Sequence, residues 1–395
     1  MWRNEVIKAM AEELRKRNAD LLEARREHDA AVSAREEFLA AGASEAQLAE
    51  AGIATKEQIE LSASKVRGKV PVSFYGMDVY SVQRSAKAVV EFLEMVDPEA
   101  AVAARSNYSV LHAYTATEGN DEDDSDMKRY AREVVAGELR PMADDISIQL
   151  IATLGALQRQ NRGQYSLMLG PAELLDAEQN AEVVVNGEAY FRGLYTDGSV
   201  ATWNLRDQHM VQTLLRLQNF HEAADGAAPK VVLWAHNSHV GDARATEMGK
   251  HAEWNLGQMC RQTFGSNNVF LLGFGTYEGT VTAATEWGGA AQTFELNPAE
   301  EGSHSDMMHC ALPGIRERLG NEALNSFLLL LRGDGPEHKA VRAALGSPKR
   351  QRAVGVKYKK DTEAVSHYVK ADLAAQFDAW IHVETSTALR PLPLG

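Results

Sequence analysis

"VVLWAHNSHVGDARATEMG", residues 231–249, sets a run of five apolar residues directly ahead of a polar turn that holds two histidines. A short continuous apolar run bounded by turn residues reads as a buried strand. On that reading His236 stands at the mouth of the strand, with Asn237, Ser238, Gly241 and Asp242 forming a tight turn behind it. Open α/β sheets place their chemistry at such strand ends. A turn of this kind can hold an imidazole with one ring nitrogen facing a cleft, as a general base or an electrophilic stabiliser requires. Two other readings stand beside it: a histidine satisfied by its own loop, and a metal pair formed by His236 and His239. The metal signal is weak, because nothing in the segment approaches a HExxH helix. Neither a metal nor a cofactor is expected.

Outward from this stretch, strand-like runs recur at 269–275 (VFLLGFG), 327–331 (FLLLL) and 353–358 (AVGVKY), with helical stretches such as EWNLGQMCRQTFG (253–265) between them. Upstream, VPVSFYGMDVYS (70–81) carries Val70–Phe74 as a further expected strand, leading through Gly76 to Asp78. Continuous apolar strands separated by helices predict an α/β fold with a mainly parallel sheet covered on both faces. Residues 82–221 are largely helical in pattern. The acidic run EGNDEDDSD (118–126) lacks the spaced Gly and terminal Glu of a calcium loop, and reads as a solvated loop capping a helix that begins near Met127. From Asn4 to about Ala63 the chain is rich in Ala, Glu, Leu, Arg and Lys, broken at Gly42 and Gly52. That composition predicts two or three solvated helices, or a coiled-coil arm, although no apolar heptad is sustained.

A second candidate site lies in WNLRDQHMVQTLLRL (203–217), where Met210, Val211, Leu214, Leu215 and Leu217 mark an amphipathic helix. Arg206, Asp207 and His209 fall in its first turns. Arg206 and Asp207 read either as an ordinary ion pair or as a site in which the guanidinium meets the charge of a tetrahedral transition state. Ser366 and His367 are adjacent and point in different directions, and no G-x-S-x-G elbow exists, so a serine hydrolase is not expected. His304, Asp306 and His309 read as a loop leading into a helix.

Composition removes several classes of function. The formal net charge is −14 with no dense block of Lys and Arg, which excludes a phosphate-neutralising surface and hence nucleic acid as a partner. Two cysteines, Cys260 and Cys310, suggest a reducing compartment, and the expected localisation is cytoplasmic. No apolar run approaches the roughly 18 residues of a membrane span, so no membrane partner is expected.

Several long motifs, taken in order, resemble the erythromycin esterase family: NAEVVVNGEAYFRGLY (180–195), WNLRDQHMVQTL (203–214), the 231–249 stretch, LLGFGTYEGTVTAATEWGG (271–289), RAVGVKYKKDTEAVSHY (352–368) and AAQFDAWIHVETSTALRPL (374–392). MWRNEV at the start also looks like a family segment. The resemblance implies an α/β core with a large inserted helical region and a smaller C-terminal α/β part. The corresponding divisions are 1–82, an N-terminal α/β remainder with a helical insertion at about 18–69; 83–225, the helical region; 226–300, the core with the histidine loop; and 301–395, the C-terminal part.

The resemblance also implies cleavage of a lactone or other carboxylic ester by water that a histidine activates, with macrolide resistance in the best-known members. Carried over, His236 and His239 match the family's active-site loop, and Arg206 and Asp207 match a shared segment. The expected catalytic set is His236, His239 and Arg206, and the expected substrate-binding set is Asp78, Asp207 and Asn237. In the family the activating histidine stands upstream, in a Gly-Glu…His-Gly motif. No such motif occurs in these 395 residues, NGEAYFRG (186–193) being the nearest. Ser305 stands where many members have a glutamate, and Ala364 where many have an arginine after Glu363. The expectation is a chain lacking the family's N-terminal catalytic segment: an ester hydrolase, or a non-catalytic relative that binds a small molecule.

Overall fold

The computed structural model describes residues 4–67, 69, 71–112, 114, 123–138, 143–160, 162–286, 288–345 and 348–392. The chain divides into two compact units, residues 1–76 with 389–395, and residues 77–388.

In the first unit, α1 (Glu5–Ala40), α2 (Glu45–Glu50) and α3 (Lys56–Val66) account for the solvated helices read from the sequence. Ser44 and Thr55 cap the two short helices, each reciprocated by a glutamine three residues on. The buried side chain of Arg35 donates to the Ala54 carbonyl and pairs with Glu45, which ties α1 to the α2–α3 connection. The strand expected at Val70–Phe74 does not form over its described residues, and Val70 itself lies outside them. Asn18 supplies the physical reason: its amide donates to the Val72 carbonyl at 2.7 Å and accepts from the Val72 N–H at 2.9 Å, so a side chain takes both groups a neighbouring strand would need.

The second unit is led by helices: α4 (Val82–Val96), α5 (Pro98–His112), α6 (Asp123–Val135), α7 (Ala143–Gly155), α8 (Arg162–Leu169), α9 (Pro171–Thr196) and α10 (Ser199–Asp225). The helix after the acidic run starts at Asp123 rather than near Met127, and residues 118–122 of that run lie outside the described ones. Val89, Phe92, Tyr108, Met127, Tyr130, Ile146, Leu150, Val184 and Phe191 belong to one apolar core around α9. Because α9 is packed against α4, α6, α7, α8 and α10, it buries residues on all sides. Gly187 is required there, since a Cβ would lie 2.6 Å from the Val79 carbonyl oxygen.

The remaining elements are α11 (Asn237–Val240), α12 (Glu247–Lys250), α13 (Leu256–Phe264), β1 (Leu272–Ala283), β2 (Gln292–Glu295), α14 (His304–Leu319), β3 (Ser326–Leu330), α15 (Pro336–Leu345), β4 (Lys349–Arg352), α16 (Glu363–Ser366), β5 (Tyr368–Ala371), α17 (Leu373–Gln376) and β6 (Ala379–Ser386). The main sheet has the order β2-β1-β6-β3, and β4 pairs with β5 in a separate ribbon. In this sheet β1 and β6 pair in parallel, with Phe274 opposite Ile381, while β2 and β3 add antiparallel strands at the edges. The expected mainly parallel core is therefore corrected to a small mixed sheet in a mostly helical protein. One face of β6 packs Trp380 over Gly273 and Gly275, in a core with Leu271, Met308 and Phe377.

Two expected strands are also corrected. Residues 231–235 join no ladder among the described residues, and Val232 is 90% exposed. The chain reaches β1 just beyond them, where Asn237 donates to the Phe274 carbonyl and accepts from its N–H, taking the place of a strand partner. Residues 353–358 contribute a single parallel bridge, Ala284 to Lys357. Arg352 holds that loop by donating to the Tyr277 and Asn297 carbonyls and pairing with buried Glu363.

Candidate active site

The helical repeat sets the first half of the site. Trp203, Arg206 and Asp207 lie within one turn of α10, and spacing by four puts Trp203 and Asp207 on the same side of it. The loop 252–256 is fastened along that side. Trp203 Nε1 donates to the Trp254 carbonyl at 2.8 Å, and the Asn204 amide bridges the Ala252 carbonyl and the Trp254 N–H. Asp207, wholly buried, accepts the Leu256 N–H through Oδ2 at 2.8 Å. Leu256 is the first residue of α13, so this carboxylate rests on the positive end of a helix.

The second half is the turn α11. Asn255, which caps α13, donates to the Ser238 carbonyl at 2.7 Å and so holds the turn against that helix. Gly257 allows the close approach, since a Cβ there would collide with the carbonyls of Val240 and Gly241. The result brings His239 Nδ1 to 2.8 Å from Asp207 Oδ1. The indole of Trp203 stacks on the imidazole, with centroids 4.5 Å apart and planes within 9°.

The hydrogen bonds assign the ring protons. A carboxylate only accepts, so His239 Nδ1 carries a hydrogen, and in the neutral ring Nε2 is the nitrogen with the lone pair. No described residue takes that Nε2 as a hydrogen-bond partner. His236 is arranged differently. Its Nδ1 accepts the Ser238 N–H at 3.2 Å, which makes it the cap of α11, and its Nε2–H donates to the Val354 carbonyl at 3.1 Å. Both nitrogens of His236 are thus committed within the protein, and burial holds its imidazole below the usual histidine range.

Arg206 meets Asp78 in a two-point pair, Nε to Oδ1 at 2.8 Å and Nη2 to Oδ2 at 2.7 Å, and its guanidinium lies over the Tyr80 ring at 4.8 Å. Burial works to raise the Asp78 carboxyl, but the hydrogen bonds and charge of Arg206, with the Val79 N–H, outweigh it and hold the group below the ordinary range. When His239 carries a proton on both nitrogens, its charge adds to that field. One turn along α10, His209 is 2% exposed; Asn186 donates to its Nδ1, and its Nε2 has no partner among the described residues.

The six site residues expected from sequence are thus sorted by their contacts. His239 and Asp207 form one pair, and Arg206 and Asp78 another. Asp207 and Asn237, expected to touch substrate, also have partners inside the protein: Asp207 accepts from His239 and from the Leu256 N–H, and the amide of Asn237 bonds both backbone groups of Phe274. Arg206 takes Asp78 as its ion partner rather than its neighbour Asp207. His309 stacks on Tyr277 and pairs with Glu384, and Ser366 and His367 bond to their own loop. Among the described residues no group of three His, Cys, Asp or Glu side chains is placed to hold a metal ion, and no helix is long and apolar enough to cross a membrane. Sequence reading missed Trp203, Asn255 and the Leu256 N–H. The four-residue spacing of Trp203 and Asp207 was a signal for the first.

The family model described as Erythromycin esterase matches residues 60–386. Among solved structures, the chain is similar to a succinoglycan biosynthesis protein at 16% identity and TM-score 0.56, over 85% of this chain and 71% of that one. A protein from Bacillus cereus matches at 15% identity and TM-score 0.58, over 86% of this chain and 74% of the other. An erythromycin esterase mutant, EreC, in its open conformation matches at 13% identity and TM-score 0.50, over 85% and 74%. At such identities the likeness is one of fold.

Proposed function

The chain belongs to the erythromycin esterase family, and from that membership we propose that it is an esterase-like hydrolase in which His239 acts on water. The observation that carries the reading is the His239–Asp207 pair, whose buried carboxylate leaves Nε2 as the basic nitrogen. In the proposed reaction Nε2 takes a proton from water, and the water oxygen bonds to the ester carbonyl carbon. The carbonyl π pair moves onto oxygen, giving a tetrahedral oxyanion. As the carbonyl re-forms, the C–O bond to the alcohol breaks, and the leaving alkoxide takes the proton back from Nε2. No acyl-enzyme forms.

Arg206 is the cation for the oxyanion: Asp78 occupies its Nε and Nη2, leaving Nη1 without a bond to any described residue. Asp207 fixes the imidazole and stabilises the positive charge it acquires. The substrate proposed is a small-molecule carboxylic ester, a macrolactone among the candidates, and ring opening of a macrolide antibiotic would give resistance to it.

The test is hydrolysis of p-nitrophenyl acetate and of a macrolactone by the 395-residue chain and by its His239→Ala variant. Turnover lost in the variant supports the reading. Turnover equal in both removes His239 as the base. Saturable binding of the lactone without turnover by either protein selects the non-catalytic binder instead.

A further inference from the structure

The indole of Trp203 lies face to face with the imidazole of His239 and is itself fastened at its far edge by Nε1–H to the Trp254 carbonyl. Its neighbour Asn204 makes two more bonds to the same loop, which fasten α10 to residues 252–256, and the ring cannot swing without breaking its own bond to Trp254. His239, by contrast, hangs from a four-residue turn and has one hydrogen bond through its ring. An imidazole held at one nitrogen can still rotate about that bond. A second ring lying parallel against it removes that freedom.

We propose that Trp203 is the positioning residue of the site: its indole face holds the His239 ring in the plane that delivers Nδ1–H to Asp207 and leaves Nε2 without a partner among the described residues. The inference rests on the reading of His239 as the base. A second effect follows from the same stack. The face of an indole is the negative side of its quadrupole, so it favours the positive charge an imidazole carries after taking a proton. Trp203 therefore acts on the step in which charge develops and not on the binding of a neutral ester.

The sequence supports the geometry independently. Trp203 precedes Asp207 by one helical turn, so one stretch of α10 supplies both the hydrogen-bond acceptor and the stacking surface for the same ring. A misdirected base costs rate far from in proportion to its displacement, because proton transfer needs the lone pair on line with the water.

The experiment compares the 395-residue protein with Trp203→Leu and Trp203→Phe. Nitrogen-15 shifts of the His239 imidazole report its tautomer whether or not the protein turns over any ester. In the parent protein they are expected to show a single Nδ1–H form, and in Trp203→Leu a mixture of tautomers. Ester hydrolysis by Trp203→Leu is expected to fall about tenfold to a hundredfold in kcat, with KM within about twofold. Trp203→Phe keeps a face but loses the bond to Trp254, and it should restore the single tautomer and most of kcat.

A Trp203→Leu protein that keeps the single tautomer overturns the proposal, as does a Trp203→Phe protein no better than Trp203→Leu. If Trp203→Leu does not fold, the phenylalanine variant alone decides, since retention of the tautomer supports stacking and its loss overturns it. An absence of hydrolysis by the parent protein counts against the base reading, while the tautomer comparison still judges the stack.

Discussion

His239 Nδ1 and Asp207 Oδ1 meet at 2.8 Å, joining a four-residue turn to a 27-residue helix across 32 positions of sequence. The other oxygen of Asp207 is held by the Leu256 N–H, so the carboxylate offers the Nδ1–H an acceptor of one orientation.

Asp207→Asn tests that assignment. An asparagine keeping its oxygen on the Leu256 N–H turns its NH2 toward His239, which makes Nδ1 an acceptor and moves the ring hydrogen to Nε2. The base is then blocked while the packing survives. Steady-state kinetics should show kcat reduced on the order of 10³ to 10⁴, with little change in KM. A fall of less than about tenfold would separate Asp207 from the chemistry.

His236 is predicted to act on the shape of the turn. His236→Ala removes the cap of α11 and the tether to Val354, and urea unfolding should report a loss of about 1–2 kcal/mol. Asparagine at this position can accept the Ser238 N–H, so His236→Asn should recover part of that loss. Both variants should retain more turnover than His239→Ala. Complete loss of turnover in His236→Ala at unchanged stability would instead place this ring on the substrate.

His209 predicts an acid-sensitive fold. Burial pushes its imidazole down to about 4 from an ordinary 6.5, against the opposing fields of Glu182 and Asp78. Because the folded value lies below the unfolded one, the group costs nothing above about pH 6.5, and stability drains away as pH falls from there through 4. The full cost is about 3 kcal/mol. His236, His304 and His382 are lowered in the same direction, again chiefly by burial. Melting curves of His209→Leu should therefore lose less between pH 7 and 4.5 than those of the parent protein. Equal losses would show that His209 does not titrate on unfolding.

The two cysteines should differ in reactivity. Cys260 is buried in the α10–α13 core and its thiol is pushed up to about 11, whereas Cys310 is exposed, and both are free. A thiol reagent at neutral pH should titrate Cys310 promptly and Cys260 only after unfolding. Prompt modification of both in the native protein would mean that this core opens readily.

Sequence alone determined what depends on local periodicity and on ordered motifs: the solvated helices of 4–66, the long amphipathic helix carrying Trp203 and Asp207, and the family. These were legible because a helix places side chains at i and i+4 together whatever else the chain does. It did not determine which polar atoms become partners. Val231–Ala235 has the composition of a buried strand, yet a ladder needs a neighbour with free backbone groups, and the outer edge of β1 at Phe274 is taken by Asn237. The strand β6 was not read from the sequence, where residues 374–392 stood only as a family motif, and its pairing with β1 and β3 belongs to the tertiary structure. His236 and His239 look equivalent in a string of letters three residues apart. Only the closure of α10, α13 and the 352–358 loop around the turn gave one ring two backbone partners and the other a buried carboxylate, because hydrogen bonds between distant residues are chosen by the path of the whole chain.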